Sequence, residues 1–247
     1  MLLFHSSRKK GYSEDGGGVL MHYGPKIVQE LEVCIDALNP KSFSSATDIA
    51  GGNATTLANT PTHSTDGYFT FDGVNEDLTI TNNSYPATFA DDFSLEVWIY
   101  VPSDATWSNS FKSSIFTRGG YAGSHGIWRT STDNQVCAWV RAGNTSKQRS
   151  VSITRDAWHN LIMTWENDTL MAIYKNGELG QSYDPSDITG DGTPDQHDWK
   201  ICSKQAASGS QGTYYEGRLA MARMYKKALT PAEVKQNFDA NRKRFGL

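Results

Sequence analysis

From Phe93 to Tyr100 the chain alternates. Phe93, Leu95, Val97 and Ile99 fall on one side of an extended backbone, and Ser94, Glu96, Trp98 and Tyr100 on the other. Successive side chains of a strand point to opposite faces, so this period of two in β-forming residues specifies a strand and argues against a helix. The pattern recurs along the chain. Leu31-Glu32-Val33-Cys34-Ile35-Asp36 alternates and stops at Asn39-Pro40; Tyr68 to Phe71 is a short strand ended by Asp72-Gly73, and Leu78-Thr79-Ile80 follows. Gln135 to Val140, Leu161 to Trp165, Leu170 to Tyr174 and Arg218 to Tyr225 read the same way. Asn176-Gly177 after the third of these is a strong hairpin signal, because both residues tolerate positive φ. Residues 41–66, rich in Ser, Thr, Ala, Asn and Gly, read as loop. Many short strands separated by turns predict an all-β domain, a sandwich or barrel.

One helix is specified near the end. Thr230 is placed to cap it, Pro231 sits at its first position, and Glu233 completes a capping box. Leu229 and Val234 form a staple pair, Val234 and Phe238 share a face, and Arg242, Lys243 and Arg244 complement the dipole near its end.

Composition agrees with one large β domain. The 247 residues are 38% hydrophobic and 20% charged, with 22 Gly and 7 Trp. A net charge of −4 argues against a nucleic-acid partner, and no apolar run reaches the length of a membrane span. Met1-Leu2-Leu3-Phe4 is too short for a signal-peptide core. Cys34, Cys137 and Cys202 have no metal-ligand spacing; Cys34 and Cys137 read as buried thiols. Residues 1–23 carry Arg8, Lys9 and Lys10, an acidic pair and Gly16-Gly17-Gly18; they read as a flexible assembly arm that orders on a neighbouring subunit, with a disordered terminus as the competing reading. Residues 24–247 form the domain.

Four stretches, in order, resemble the laminin G-like branch of the concanavalin A-like lectin/glucanase superfamily. They are Phe71-Asp72-Gly73-Val74-Asn75-Glu76-Asp77-Leu78; Phe93 to Ile99; Trp158 to Trp165 followed by Ile173 to Leu179; and Tyr215 to Tyr225 running into Ala228 to Val234. The resemblance implies a two-sheet antiparallel jelly-roll sandwich with a short C-terminal helix. A narrower resemblance, in Gly24 to Val28, Leu31 to Ser42 and Asn241 to Leu247, is to laminin G-like structural proteins of tailed bacteriophages. It implies a non-enzymatic virion component, a capsid decoration or fibre protein or a tail-associated one. Such a protein assembles in the host cytoplasm with other virion proteins and with copies of itself.

Chemistry-bearing candidates are few. Sandwich glucanases carry their carboxylates as E-x-D-x-x-E on one strand; Glu96 stands alone, so a glycoside hydrolase is disfavoured. Asp187, Thr189, Asp191, Thr193 (through its carbonyl), Asp195 and Asp198 follow EF-hand spacing with Gly192 at the sharp turn, a candidate Ca²⁺ loop weakened by Thr189 and by the short Asp198. The competing reading is a solvated acidic turn. Surface glycans are the candidate ligands. Trp107, Tyr121, Trp128 and Trp199, outside the clear strands, are the stacking candidates, and Asn109, His125 and Arg129 are the polar ones. Covering of the sandwich edges by these rings is the competing reading. A free lectin, calcium-dependent or not, is the alternative function.

Overall fold

The structure is a computed structural model. It describes residues 27–42, 45–81, 83–106, 114–119, 124–130, 132–142, 145–167, 169–185, 197–203 and 214–247. Residues 1–23, read from sequence as an assembly arm, and most of the acidic loop lie outside them.

In chain order the strands are β1 (Leu31–Asp36), β2 (Ala54–Ala58), β3 (Thr62–Ser64), β4 (Tyr68–Asp72), β5 (Asp77–Thr81), β6 (Phe93–Tyr100), β7 (Ser114–Arg118) and β8 (His125–Arg129). They continue as β9 (Gln135–Ala142), β10 (Thr145–Ser152), β11 (Trp158–Glu166), β12 (Leu170–Lys175), β13 (Glu178–Tyr183), β14 (Trp199–Ile201) and β15 (Glu216–Tyr225). A single α-helix among the described residues, α1 (Pro231–Asn241), precedes a 3-10 turn, Arg242–Phe245. All pairings are antiparallel. One sheet has the order β13-β12-β11-β6-β15-β4-β3, with β1 also on β15; the other runs β10-β9-β8-β7-β14-β5-β2. The two sheets make the expected sandwich. No helix among the described residues is long and apolar enough to cross a membrane.

The apolar register of each strand points inward. Phe93, Leu95, Val97 and Ile99 of β6 meet Val136, Ala138 and Val140 of β9 and Leu78 and Ile80 of β5 in one core. Burying that much apolar surface is the main stabilising contribution to the fold. At one margin Lys147 and Arg149 of β10 lie 5.0 and 4.3 Å from the Tyr183 ring of β13, tying the sheets together.

Two sequence expectations are corrected. Residues 41–66 contain β2 and β3 rather than loop alone. Five further strands, β7, β8, β10, β13 and β14, escaped the alternation search. β7 and β8 are buried on both faces, β10 and β13 are polar edge strands, and β14 has three residues. Their backbones are recruited by neighbours, which hydropathy period does not record.

The second face of β6 is also buried, because α1 lies over it. Thr230 accepts from the Glu233 amide and Glu233 accepts from the Thr230 amide, so the capping box forms as read. Leu229 and Val234 share one satellite cluster with Ile162, Ala172, Tyr174 and Tyr225. Phe238 packs on Trp98, Ala220 and Met221. The basic run falls in the 3-10 turn, where Arg242 pairs with Asp239 at 3.2 Å and Arg244 with Asp36 at 2.8 Å.

Candidate functional site

Beneath α1 lies a buried polar cluster. Glu96 and Arg223 are each 0% exposed and 3.1 Å apart. Glu96 Oε1 accepts from Trp98 Nε1 and Asn160 Nδ2; Oε2 accepts from Arg223 Nη1, Tyr225 OH and Asn237 Nδ2. Burial opposes the Arg223 charge, but Glu96 and Tyr225 outweigh it and raise the guanidinium above its ordinary range. A carboxylate so enclosed has no access to a substrate. It anchors the helix.

Coverage by the C-terminal segment ends at Phe245. Its ring stacks on Trp98 with centroids 4.1 Å apart and reaches Trp158 at 4.9 Å. Beyond it no element among the described residues is packed on the sheet, and one cross-strand row lies there. Thr62 pairs with Thr70, Thr70 with Arg218, Arg218 with Tyr100, and Tyr100 with Trp158. Thr62 and Thr70 are exposed; Arg218, Tyr100 and Trp158 are half-buried. Strands sit about 4.8 Å apart, so the five-residue row extends about 19 Å.

The row is aromatic and cationic. Tyr68 lies beside it, 5.9 Å from Trp158, and Tyr100 is 5.7 Å from Trp158. The Arg218 guanidinium sits 4.8 Å from the Tyr68 ring and 4.6 Å from the Tyr100 ring. Among the described residues no acceptor bonds that guanidinium or the Trp158 indole N–H. Asp156, at positive φ, turns its carboxylate onto the Ser103 amide at 2.9 Å and toward Tyr100 OH at 3.3 Å. Hydrogen bonds from Ser103 hold the Asp156 carboxyl below the ordinary carboxylate range, while partial burial and Asp156 raise Tyr100. Gly217 lets β15 approach: a Cβ there would come within 2.6 Å of both the Tyr100 carbonyl and the Tyr215 hydroxyl. An indole and two phenols presented beside spare N–H donors can stack on a flat ligand face and hydrogen-bond its oxygens.

The opposite sheet also presents an outward row, Thr56-Thr79-Lys200-Thr117-Gly126-Trp139-Gln148. Its centre is closed, with Thr117 and Gly126 buried. Lys200 pairs with Asp77 at 3.4 Å, Ser203 donates to Asp77 at 3.0 Å, and Trp139 donates to Ser124. Lys200 and Trp139, its long polar side chains at the centre, thus already have partners.

The candidates named from sequence fare unequally. Trp199 and His125 are strand residues, 0% exposed, and their rings meet 5.0 Å apart inside the sandwich. Trp199 donates to the Tyr85 carbonyl. Trp128 and Arg129 of β8 are buried too, and Arg129 donates to the Thr106 carbonyl. Burial brings the Arg129 guanidinium down to about 10. Their placement outside strands is therefore corrected: lacking a period-two signature, they nevertheless pair on both sides, and their side chains do not reach the surface. Trp107, Tyr121 and Asn109 lie outside the described residues, as do Asp187, Thr189, Asp191, Thr193 and Asp195 of the acidic loop and Arg8, Lys9 and Lys10 of the arm. Asp198 is described and favours the charge of Arg118. No group of three metal-ligating side chains occurs among the described residues. All three cysteines are buried and none forms a disulfide, and burial pushes the Cys137 thiol up to about 12. Tyr68, Tyr100, Trp158, Arg218 and Phe245 were not singled out from sequence. The available signal was their outward position on strands already recognised, at Tyr100 and Arg218 especially.

A family model described as Concanavalin A-like lectin/glucanases superfamily, Laminin_G_3, matches residues 72–235. Among solved structures, the receptor-binding domain of botulinum neurotoxin D matches with a TM-score of 0.67 at 14% identity, over 86% of this chain and 53% of that one. The serotype D ligand-binding domain in complex with N-acetylneuraminic acid matches with a TM-score of 0.67 at 14% identity, over 86% of this chain and 51% of that one. The botulinum neurotoxin DC binding domain in complex with rat synaptotagmin II matches with a TM-score of 0.64 at 14% identity, covering 86% and 52%. The chain thus spans about half the length of the solved chains it matches, and at this identity the likeness concerns the fold. No curated protein matches.

Proposed function

From the premise that the chain belongs to the Laminin_G_3 family of the concanavalin A-like lectin/glucanases superfamily, we propose that it is a non-enzymatic carbohydrate-binding protein whose open sheet face receives a glycan. The observation that carries this reading is the Thr62-Thr70-Arg218-Tyr100-Trp158 row, an aromatic and hydrogen-bonding strip left uncovered beside α1. The burial of Glu96 under the helix supports a binding rather than a hydrolytic role, since glycoside hydrolysis needs two carboxylates facing the sugar. The structural neighbours solved with a sugar or a protein receptor support a recognition role as well.

A glycan array probed with the labelled protein tests the reading. Trp158→Ala should weaken any bound glycan by about tenfold or more, because loss of one stacking ring at a centre of contact costs upwards of about 1.4 kcal/mol. An array without hits at high protein concentration refutes it.

A second reading adds a location: the domain is displayed on a tailed-phage particle, assembled in the host cytoplasm with other virion proteins. One observation favours it. Two of the three stretches that resemble phage structural proteins meet in space, through Arg244–Asp36 at 2.8 Å. Mass spectrometry of purified particles is the test; absence of the protein from them rejects this location.

A further inference from the structure

We propose that the open row takes an acidic saccharide, whose carboxylate is received by the Arg218 guanidinium while an adjoining sugar ring lies on the Trp158 indole. This deepens the carbohydrate reading and rests on it. Arg218 sits between Tyr68 and Tyr100, its central carbon 4.8 and 4.6 Å from the two rings. That contact holds the guanidinium while leaving its N–H donors without acceptors among the described residues. The neighbouring carboxylates are committed elsewhere: Asp156 to Ser103 and Tyr100, and Glu216 to the Thr106 amide at 2.6 Å. Of the other nearby cations, Arg244 is bound to Asp36 and Arg155 donates to the Ser103 and Ala105 carbonyls. At its centre the row therefore holds a half-buried guanidinium whose donors have no acceptor among the described residues, where an ionic hydrogen bond is stronger than in open water.

A planar guanidinium matches a carboxylate through two parallel N–H···O bonds, a fit that lysine lacks. A neutral sugar would leave the charge unanswered. A heavily sulfated chain calls for several cations, and among the described residues Arg218 is the guanidinium in this row without an acceptor. Two strand spacings, about 10 Å, separate Arg218 from Trp158, so charge and stacking act on adjoining parts of one chain.

The test begins with wild-type protein on an array carrying neutral, uronic-acid, sialic-acid and sulfated glycans. The strongest carboxylated binder is then compared with its methyl ester by calorimetry. Esterification should weaken binding about tenfold or more. Arg218→Gln should weaken the free acid to a similar degree and leave the ester unchanged, with Arg218→Lys between. Trp158→Ala should weaken acid and ester alike. Equal affinity for acid and ester overturns the proposal. So does a preference for sulfated glycans, or an Arg218→Gln protein that binds the acid as wild type does. Because the ester comparison uses wild-type protein, it stands even where a variant unfolds. Binding to no glycan of any class overturns the carbohydrate reading itself, an outcome distinct from neutral glycans binding as well as acidic ones.

Discussion

Replacing Glu96 by Gln should be far more damaging than replacing its partner Arg223 by Met. Both side chains are 0% exposed and their charged atoms lie 3.1 Å apart. Their other partners differ. Glu96 keeps four neutral donors when Arg223 is removed: Trp98, Asn160, Tyr225 and Asn237. Arg223 has no second acceptor, since its Nε and Nη2 find none. Glu96→Gln therefore strands a buried cation, a change that costs about 3–5 kcal/mol. Arg223→Met removes one charge-assisted bond and leaves a solvated-like carboxylate, at about 2 kcal/mol. The double variant buries no charge and should be more stable than Glu96→Gln alone by at least about 1 kcal/mol. Urea unfolding followed by tryptophan fluorescence reads these differences as midpoint shifts at constant m. In thermal melts Glu96→Gln should lower Tm by about 6–20 °C for a domain of this size. A Glu96→Gln cost below about 1 kcal/mol, or an Arg223→Met cost exceeding it, would refute the reasoning that the carboxylate is the better-solvated partner.

Other outcomes follow from the same structure. Burial, aided by Lys175, depresses His159 below the ordinary imidazole value of 6.5 despite an opposing Thr154 backbone bond. The unfolded chain therefore takes up this proton first as pH falls, so the His159 contribution is complete above about pH 7 and declines as pH drops through 6.5. His159→Gln should flatten the stability profile between pH 7.5 and 5.5; an unchanged slope contradicts the assignment. Thr230→Ala removes the cap of α1 and should cost about 1 kcal/mol in urea unfolding, and no loss would show that tertiary packing alone holds the helix end. Gly126→Ala would set a Cβ 2.2 Å from the Phe116 carbonyl at φ +141, so strand β8 should be displaced and soluble yield should fall sharply. Calcium at 187–198 predicts a heat of binding at millimolar ion that Asp191→Asn removes; a flat titration rejects the site.

Much of the sandwich was legible because its strands follow a strict alternation. Leu31 to Asp36, Phe93 to Tyr100 and Arg218 to Tyr225 were read from hydropathy alone and appear at or near those bounds. The helix was legible for a different reason: Thr230, Pro231 and Glu233 satisfy its first turn locally, through contacts at most three residues apart. Trp199 and His125 show the limit. Short segments without alternation resemble loops, and only their pairing between β5, β7 and β9 buries them.

The sequence by itself determined which residues could face inward and where one helix would begin, since both are written in near-neighbour periodicity and capping. Only the tertiary structure decided that Glu96 would be sealed while Tyr100, four residues along the same face, stayed open. That difference depends on where α1 and Phe245 come to rest on a distant sheet. Contacts such as Asn237 to Glu96, across 141 positions of chain, carry no local signature. The candidate ligand face is what that covering leaves uncovered.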